Sequence, residues 1–211
     1  MRPTGLLLDL DGTLVDSEPL QRAGYRGFFS ARGWAMPDLA MFTGRRGEDV
    51  FATEPGPWSA EDPAVLAAEV RARVPRDQPP SAVPGAREVV LAAVGAGVPV
   101  AIVTSARPDW VALAVGEGLD LLDLLDLVVT ADDVLDGKPH PAGFLLACER
   151  LGISPGGAVA VEDSDAGVRA ARAARVGHVI GVTTSRSPGE LIAAGAHATY
   201  ADLCPVAALF G

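Results

Sequence analysis

Lysine is almost missing from this 211-residue chain. Of its 17 basic residues only Lys138 is lysine, and the rest are arginine. Cysteine is nearly as scarce: Cys148 and Cys204 do not make a disulfide framework, which excludes a small stapled scaffold. Aromatic residues make up 5% of the chain. No apolar run approaches the length that crosses a bilayer. Positive charge is in deficit, with Lys+Arg at 17 against Asp+Glu at 27 and a net charge of −10. A nucleic-acid or anionic-membrane binder needs a basic footprint, so neither partner is expected. The opening residues, Met1-Arg2-Pro3-Thr4, run straight into a strand-like segment, without a signal peptide's apolar stretch or small-residue cleavage site. A cytoplasmic, reduced, soluble protein is expected. The composition that is present, 49% hydrophobic and 21% charged, is that of a globular chain able to bury a core. A single lysine among so many arginines suggests chemistry that wants a compact ammonium rather than a planar fork.

Hydrophobic patterning divides the chain. Gly5–Leu10 reads as a buried strand stopped by Asp11 and Gly12. From Ser17 to Pro80 the character changes to helix-like pieces at 19–32, 47–53 and 63–74, separated by Trp/Pro/Gly clusters, with no convincing strand. Residues 75–84 read as a linker. Beyond it helix and strand alternate: helices at 84–94, 108–116, 141–151 and 166–175, strands at 98–104, 127–130, 158–161 and 179–182. Leu119–Leu127, with Asp120, Asp123 and Asp126 every third residue, reads as a solvated edge beside a core stripe. Short, continuously apolar strands imply burial on both faces of a parallel sheet. The expectation is an α/β, doubly wound (Rossmann-like) core at 1–16 and 81–211, with an α-helical insert at 17–80.

Ligands of such sheets bind at the carboxyl ends of the strands. Here those ends carry Asp9-Leu10-Asp11-Gly12-Thr13, Thr104-Ser105 and Glu162-Asp163-Ser164, and Lys138 lies in the loop after the strand at Leu127. The combination suits phosphoryl transfer. One carboxylate of the Asp9/Asp11 pair is suited to attack phosphorus, the other to protonate the leaving oxygen and then deprotonate water. Gly12 permits a sharp turn with backbone N–H groups near an oxyanion. Asp9, Asp11, Glu162 and Asp163 would repel one another without a cation, and hard oxygen donors suit Mg²⁺. Thr104 and Ser105 offer hydroxyls to a phosphoryl oxygen, and Lys138 offers charge neutralisation while holding a carboxylate ionised.

Four segments, Asp9-Leu10-Asp11-Gly12-Thr13-Leu14-Val15-Asp16-Ser17-Glu18-Pro19, Val103-Thr104-Ser105, Gly137-Lys138-Pro139 and Val161-Glu162-Asp163-Ser164-Asp165-Ala166-Gly167-Val168, occur in this order. In them the chain resembles the haloacid dehalogenase superfamily of phosphohydrolases. The insert is similar to the small helical cap of its sugar-phosphate phosphatase and β-phosphoglucomutase branch. The resemblance implies Asp9 as nucleophile, Asp11 as acid and base, and Mg²⁺ held by Asp9, the Asp11 carbonyl and Asp163, with Glu162 as an additional or neighbouring partner. It implies that Arg45, in the segment Thr43–Asp49, meets substrate. The implied activity is hydrolysis of a small phosphorylated metabolite, a sugar or polyol phosphate, by a monomer; a phosphomutase and a silent phospho-ligand binder are the alternatives. Gln21 stands where the mutases carry histidine, and Gly47 near their cap arginine, which weighs against the first. The complete carboxylate, threonine and lysine set weighs against the second. Arg175 stands where many relatives have glycine.

Other patterns are weaker. Asp11 argues against a dehalogenase, and the absence of lysine from the insert excludes a Schiff-base phosphonatase. Gly152-Ile153-Ser154-Pro155-Gly156 fits a nucleophile elbow in spelling, but it follows a helix and precedes a strand, and Pro155 lacks an N–H. His140 reads as a turn residue and Cys148 as packing.

Overall fold

The computed structural model describes residues 3–211. Met1 and Arg2, with which the reading of the opening residues began, lie outside the described part. Strand β1 (Gly5–Leu8) leads into a tight turn and a two-residue strand, β2 (Val15–Asp16). The insert holds α1 (Glu18–Ala31), α2 (Gly47–Thr53) and α3 (Pro63–Arg71). The chain returns through β3 (Ser81–Ala82), α4 (Ala86–Gly95) and β4 (Val100–Val103). There follow α5 (Pro108–Val111), widening into a π-helical stretch at Ala112–Leu119, then β5 (Leu127–Val129) and α6 (Ala142–Leu151). Strand β6 (Ala158–Glu162), α7 (Asp165–Ala173), β7 (His178–Val182), α8 (Pro188–Ala194), β8 (Ala198–Tyr200) and α9 (Cys204–Ala207) complete it.

Six strands form one parallel sheet in the order β5-β4-β1-β6-β7-β8, the doubly wound arrangement expected. Every residue of β1, β4 and β6 is buried, because helices cover both faces. Alternation along each strand then feeds two separate cores. Leu6, Leu8, Val100, Ile102, Val159 and Val161 enter one, while Leu7, Ala101, Val103, Ala158 and Ala160 enter the other. Buried Cys148 packs in the second core, as its apolar helix suggested.

The insert has a core of its own, built on Phe28, Phe29, Phe42, Phe51, Trp58 and Leu66. Seven of the eleven aromatic residues fall between 25 and 58. A unit this small buries little surface per residue, and large rings with edge-to-face contacts compensate. Phe28–Phe29, Phe29–Trp58 and Phe51–Trp58 make such contacts at centroid distances of 5.1, 5.7 and 5.6 Å.

Several expectations are corrected. The stretch at 75–84 is not only a linker, since β3 pairs antiparallel with β2. Two-residue strands have no periodicity to read; they form where the two crossings between core and insert run side by side. Strand β1 ends at Leu8 and not Leu10, because Leu10 accepts turn hydrogen bonds from Thr13, Leu14 and Val15. Leu119–Leu127 is the solvated turn edge expected, with Asp120 left-handed and the Asp126 carboxylate accepting from Val100 N at 2.8 Å. Helices α8 and α9 and strand β8, beyond Val182, had no sequence signal long enough to register. Among the described residues no helix is long and apolar enough to cross a membrane.

Candidate active site

Strand order decides which side chains meet. Strand β1 lies between β4 and β6, so the residues at or just beyond their carboxyl ends, Asp9, Thr104 and Glu162-Asp163, come side by side. Asp9 is tied to this edge through its N–H, which donates to the Val161 carbonyl at 3.0 Å. The loop after β5 reaches back and inserts Lys138 beneath them. Lys138 Nζ donates to Asp9 Oδ1 at 2.5 Å and to the Val103 carbonyl at 2.8 Å. It lies 2.6 Å from Glu162 Oε1, out of line for a hydrogen bond. The ammonium is 6% exposed, Glu162 0%, Asp163 1% and Asp9 5%.

Burial at this density reshapes the titration of Lys138, Glu162, Asp163 and Asp11. Burial alone would lower the Lys138 pKa, but Asp9 and Glu162 outweigh it and hold the ammonium well above its usual range. Desolvation, aided by Asp9, pushes Glu162 up to about 7 and raises Asp163 well above the carboxylate range. Asp11 is raised to about 6, mainly by burial. Its Oδ1 is held by Ser17 Oγ at 2.5 Å and Trp110 Nε1 at 2.8 Å, which leaves Oδ2 available.

Asp9, Glu162 and Asp163 each present a carboxylate oxygen within 4.8 Å of the others. With all three carboxylates ionised, one ammonium would leave two negative charges unbalanced. Both Asp163 oxygens are buried and lack a hydrogen-bond partner. All-oxygen donors, excess negative charge and unsatisfied buried oxygens fit a hard divalent cation. Gly12, at φ +81°, brings the main chain so close to Asp163 that a Cβ there would collide with the carboxylate. Gly167 lies as close over Glu162.

A cleft between the insert and this sheet edge has Asp9, Asp11, Thr104 and Asp163 on its core side, and Gln21, Tyr25 and Arg45 on the insert side. The other sequence-derived residues are placed as follows. Thr104 lines the cleft and its Oγ1 accepts from Ala106 N at 3.0 Å. Ser105 Oγ donates to the Gly44 carbonyl at 3.1 Å, joining core to insert. Arg45 is paired with Glu54 at 2.7 Å and donates to Thr53 Oγ1 at 3.0 Å. Lys138 sits behind Asp9 rather than on the cleft wall, its contacts taken by protein oxygens. His140 Nδ1 accepts from Ala142 N at 3.3 Å, a turn contact.

Reading the sequence missed Trp110 and the grip of Ser17 on Asp11. Ser17 stood inside a recognised motif, but Trp110 is 99 residues from Asp11 and had no local signal. It also missed Arg46, whose two terminal nitrogens donate to the Val134 and Leu135 carbonyls at 2.9 Å each, bridging insert and core.

Comparison with known proteins agrees with this geometry. The validoxylamine A 7'-phosphate phosphatase of Streptomyces hygroscopicus subsp. limoneus is 36% identical over 189 residues, covering 88% of each chain. Hexitol phosphatase A of Escherichia coli (strain K12) is 34% identical over 186 residues, covering 86% of this chain and 84% of that one. The crystal structure of CbbY from Rhodobacter sphaeroides superposes with a TM-score of 0.75 at 24% identity, covering 95% of this chain and 94% of that one, and shares the fold. The profile of haloacid dehalogenase-like hydrolases matches residues 3–175. The chain belongs to the haloacid dehalogenase-like hydrolase family.

Proposed function

We propose that this hydrolase cleaves a small phosphate monoester, a sugar or polyol phosphate, through a phosphoryl group carried transiently on Asp9. The observation that carries the reading is the buried Lys138–Asp9 pair beside the unsatisfied Asp163, with Asp9 and Asp163 lining the cleft. Lys138 occupies Asp9 Oδ1, so Oδ2 is the attacking oxygen. As Oδ2 bonds to phosphorus, the ester P–O bond breaks and Asp11 gives its proton to the departing oxygen. Burial, by raising Asp11 to about 6, favours the protonated form this step requires. Asp11 then takes a proton from water, water oxygen bonds to phosphorus, and the bond to Asp9 breaks. Phosphate leaves and both carboxylates return to their starting states.

Asp9, Asp163 and the Asp11 carbonyl would hold Mg²⁺, which supplies charge neutralisation to the phosphoryl group when bound. The Glu162 oxygens face Lys138 and Ser164, so Glu162 serves mainly to anchor the ammonium. Residues 17–80 act as a cap over the core at 1–16 and 81–211, excluding bulk water and shaping the substrate pocket. The names of the two curated relatives support a phosphorylated, hydroxyl-rich substrate.

The test is phosphate release from sugar, polyol and nucleotide monophosphates, with Mg²⁺ or EDTA, by wild type and Asp9→Asn. The expected result is Mg²⁺-dependent release, lowered at least about a thousandfold by the substitution with the fold intact. Steady turnover by Asp9→Asn would overturn the covalent route, and release insensitive to EDTA would overturn the metal.

A further inference from the structure

The phosphatase reading leaves open what the rest of the substrate carries. Six arginines line the cleft: Arg22, Arg45, Arg46, Arg71, Arg76 and Arg107. A second anionic group on the substrate needs a cation that serves no other anion, because displacing an existing ion pair gains little. Five of the six are not free in that sense. Arg22 lies 2.7 Å from Glu18, Arg45 2.7 Å from Glu54 and Arg76 2.6 Å from Asp109. Arg71 and Arg107 converge on one oxygen, Glu48 Oε1, at 2.5 and 3.2 Å, and Arg107 also meets Asp132 at 3.0 Å. Arg46 alone pairs with no carboxylate, and its two terminal nitrogens are taken by the carbonyls of Val134 and Leu135.

The rest of the insert's wall is apolar or neutral, with Leu39, Phe42 and Val70 beside Tyr25. Burial keeps the Tyr25 phenol well above its usual range, so it remains a neutral hydroxyl. Gly47 adds no side chain; a Cβ there would lie 3.2 Å from the Tyr25 oxygen. Ion pairs present both N–H donors and carboxylate acceptors, which suits hydroxyl groups, while Glu18 and Glu48 repel a further anion.

We propose that this cleft selects monoesters whose non-transferred part is an uncharged polyol or sugar, and that Glu48 sets the selection by cancelling, together with Asp132, the charges of Arg71 and Arg107. The inference rests on the phosphatase reading and deepens it. Glu48 stands in the first turn of α2. Burial alone would raise its carboxyl, but its backbone hydrogen bond and the two arginines hold it below the usual range, so it is fully ionised at neutral pH.

The experiment compares glucitol 6-phosphate with 6-phosphogluconate, which differ only in a CH₂OH group against a carboxylate. Wild type is expected to favour glucitol 6-phosphate in kcat/KM by about a hundredfold, and Glu48→Gln to narrow that gap about tenfold by improving 6-phosphogluconate. Adding Arg71→Gln and Arg107→Gln to Glu48→Gln should restore the gap. Equal wild-type rates, or an unchanged gap in an active Glu48→Gln, overturn the proposal. If Glu48→Gln fails to fold, the wild-type ratio still decides. If wild type releases phosphate from neither compound nor any other monoester, the phosphatase reading fails. Calorimetric binding of both compounds to Asp9→Asn with Mg²⁺ then tests selectivity alone: tighter binding of the polyol supports it, and equal binding overturns it.

Discussion

Lys138 Nζ has three protein oxygens within 2.8 Å, those of Asp9, Glu162 and Val103. A compact ammonium donates to Asp9 and the Val103 carbonyl while lying against Glu162, whereas a guanidinium is a rigid plane that matches one carboxylate at a time. Lys138→Arg is therefore expected to lower kcat about a hundredfold or more although the charge is kept. Wild-type turnover in that variant would mean that any cation suffices. The carboxylates lead to a prediction on stability. Glu162 rises from 4.5 to about 7 and Asp11 from 3.8 to about 6 on folding, and Asp163 moves the same way. A carboxyl whose pKa is raised in the folded state favours folding while protonated, and that contribution is lost as pH climbs through the folded pKa. Metal-free protein is thus expected to melt at a higher temperature near pH 5 than near pH 8. Mg²⁺ is expected to raise the melting temperature more at the higher pH, where its ligands are ionised. Thermal melts in EDTA and in Mg²⁺ at both pH values decide it, and equal Mg²⁺ stabilisation at the two would count against the carboxylate cluster as the site.

Elements matter here mostly through their ends. Strand β1 stops at Leu8, and the next residues form a turn whose carbonyl at Leu10 collects three N–H groups. That turn aims Asp9 and Asp11 into the cleft without requiring them to share an extended strand. Helix α7 begins at an N-cap, Ser164, whose hydroxyl accepts from Gly167 N at 3.0 Å and donates to Glu162 at 3.1 Å. The same serine thus caps a helix and orients a carboxylate. After α7 the chain turns through Arg175 at φ +60°. A residue with a Cβ is strained there, and Arg175→Gly is expected to stabilise the protein by up to about 1 kcal/mol, raising the melting temperature by about 2–4 °C. A fall in melting temperature would show that the Arg175 side chain makes contacts worth more than the strain.

The whole molecule carries a net charge of −10, and its proposed substrates are anions. Long-range repulsion slows their approach, while the Lys138 ammonium, buried behind Asp9, is screened little by salt. Raising ionic strength from about 10 to 150 mM with an inert salt is expected to increase kcat/KM severalfold with little change in kcat. A decrease would mean that the local field of the cleft, not the net charge, governs encounter. The insert closes over the core by several small links, Arg46 to Val134 and Leu135, Ser105 to Gly44, and Arg186 to the Ala40 carbonyl at 2.7 Å. These links are few and polar, which suits a unit that opens and closes.

The α/β class, the helical insert and the set Asp9, Asp11, Thr104, Lys138, Glu162 and Asp163 were legible in the residues themselves. Buried parallel strands are continuous apolar runs, and the polar residues that stop them fall at one edge of the sheet whatever the order of the strands. The lone lysine was legible for a different reason, since composition drifting toward arginine left it conspicuous. What only tertiary structure decided is how those residues are held and what surrounds them. Trp110 reaches Asp11 across 99 residues of chain, Glu48 meets Arg71 and Arg107 across 23 and 59, and β2 finds β3 across the whole insert. Such contacts leave no periodic or local mark, because nothing in the neighbouring sequence must change to accommodate them. They form only when separately folded elements pack, and in this protein they determine the partners of Asp11 and the charge balance of the cleft.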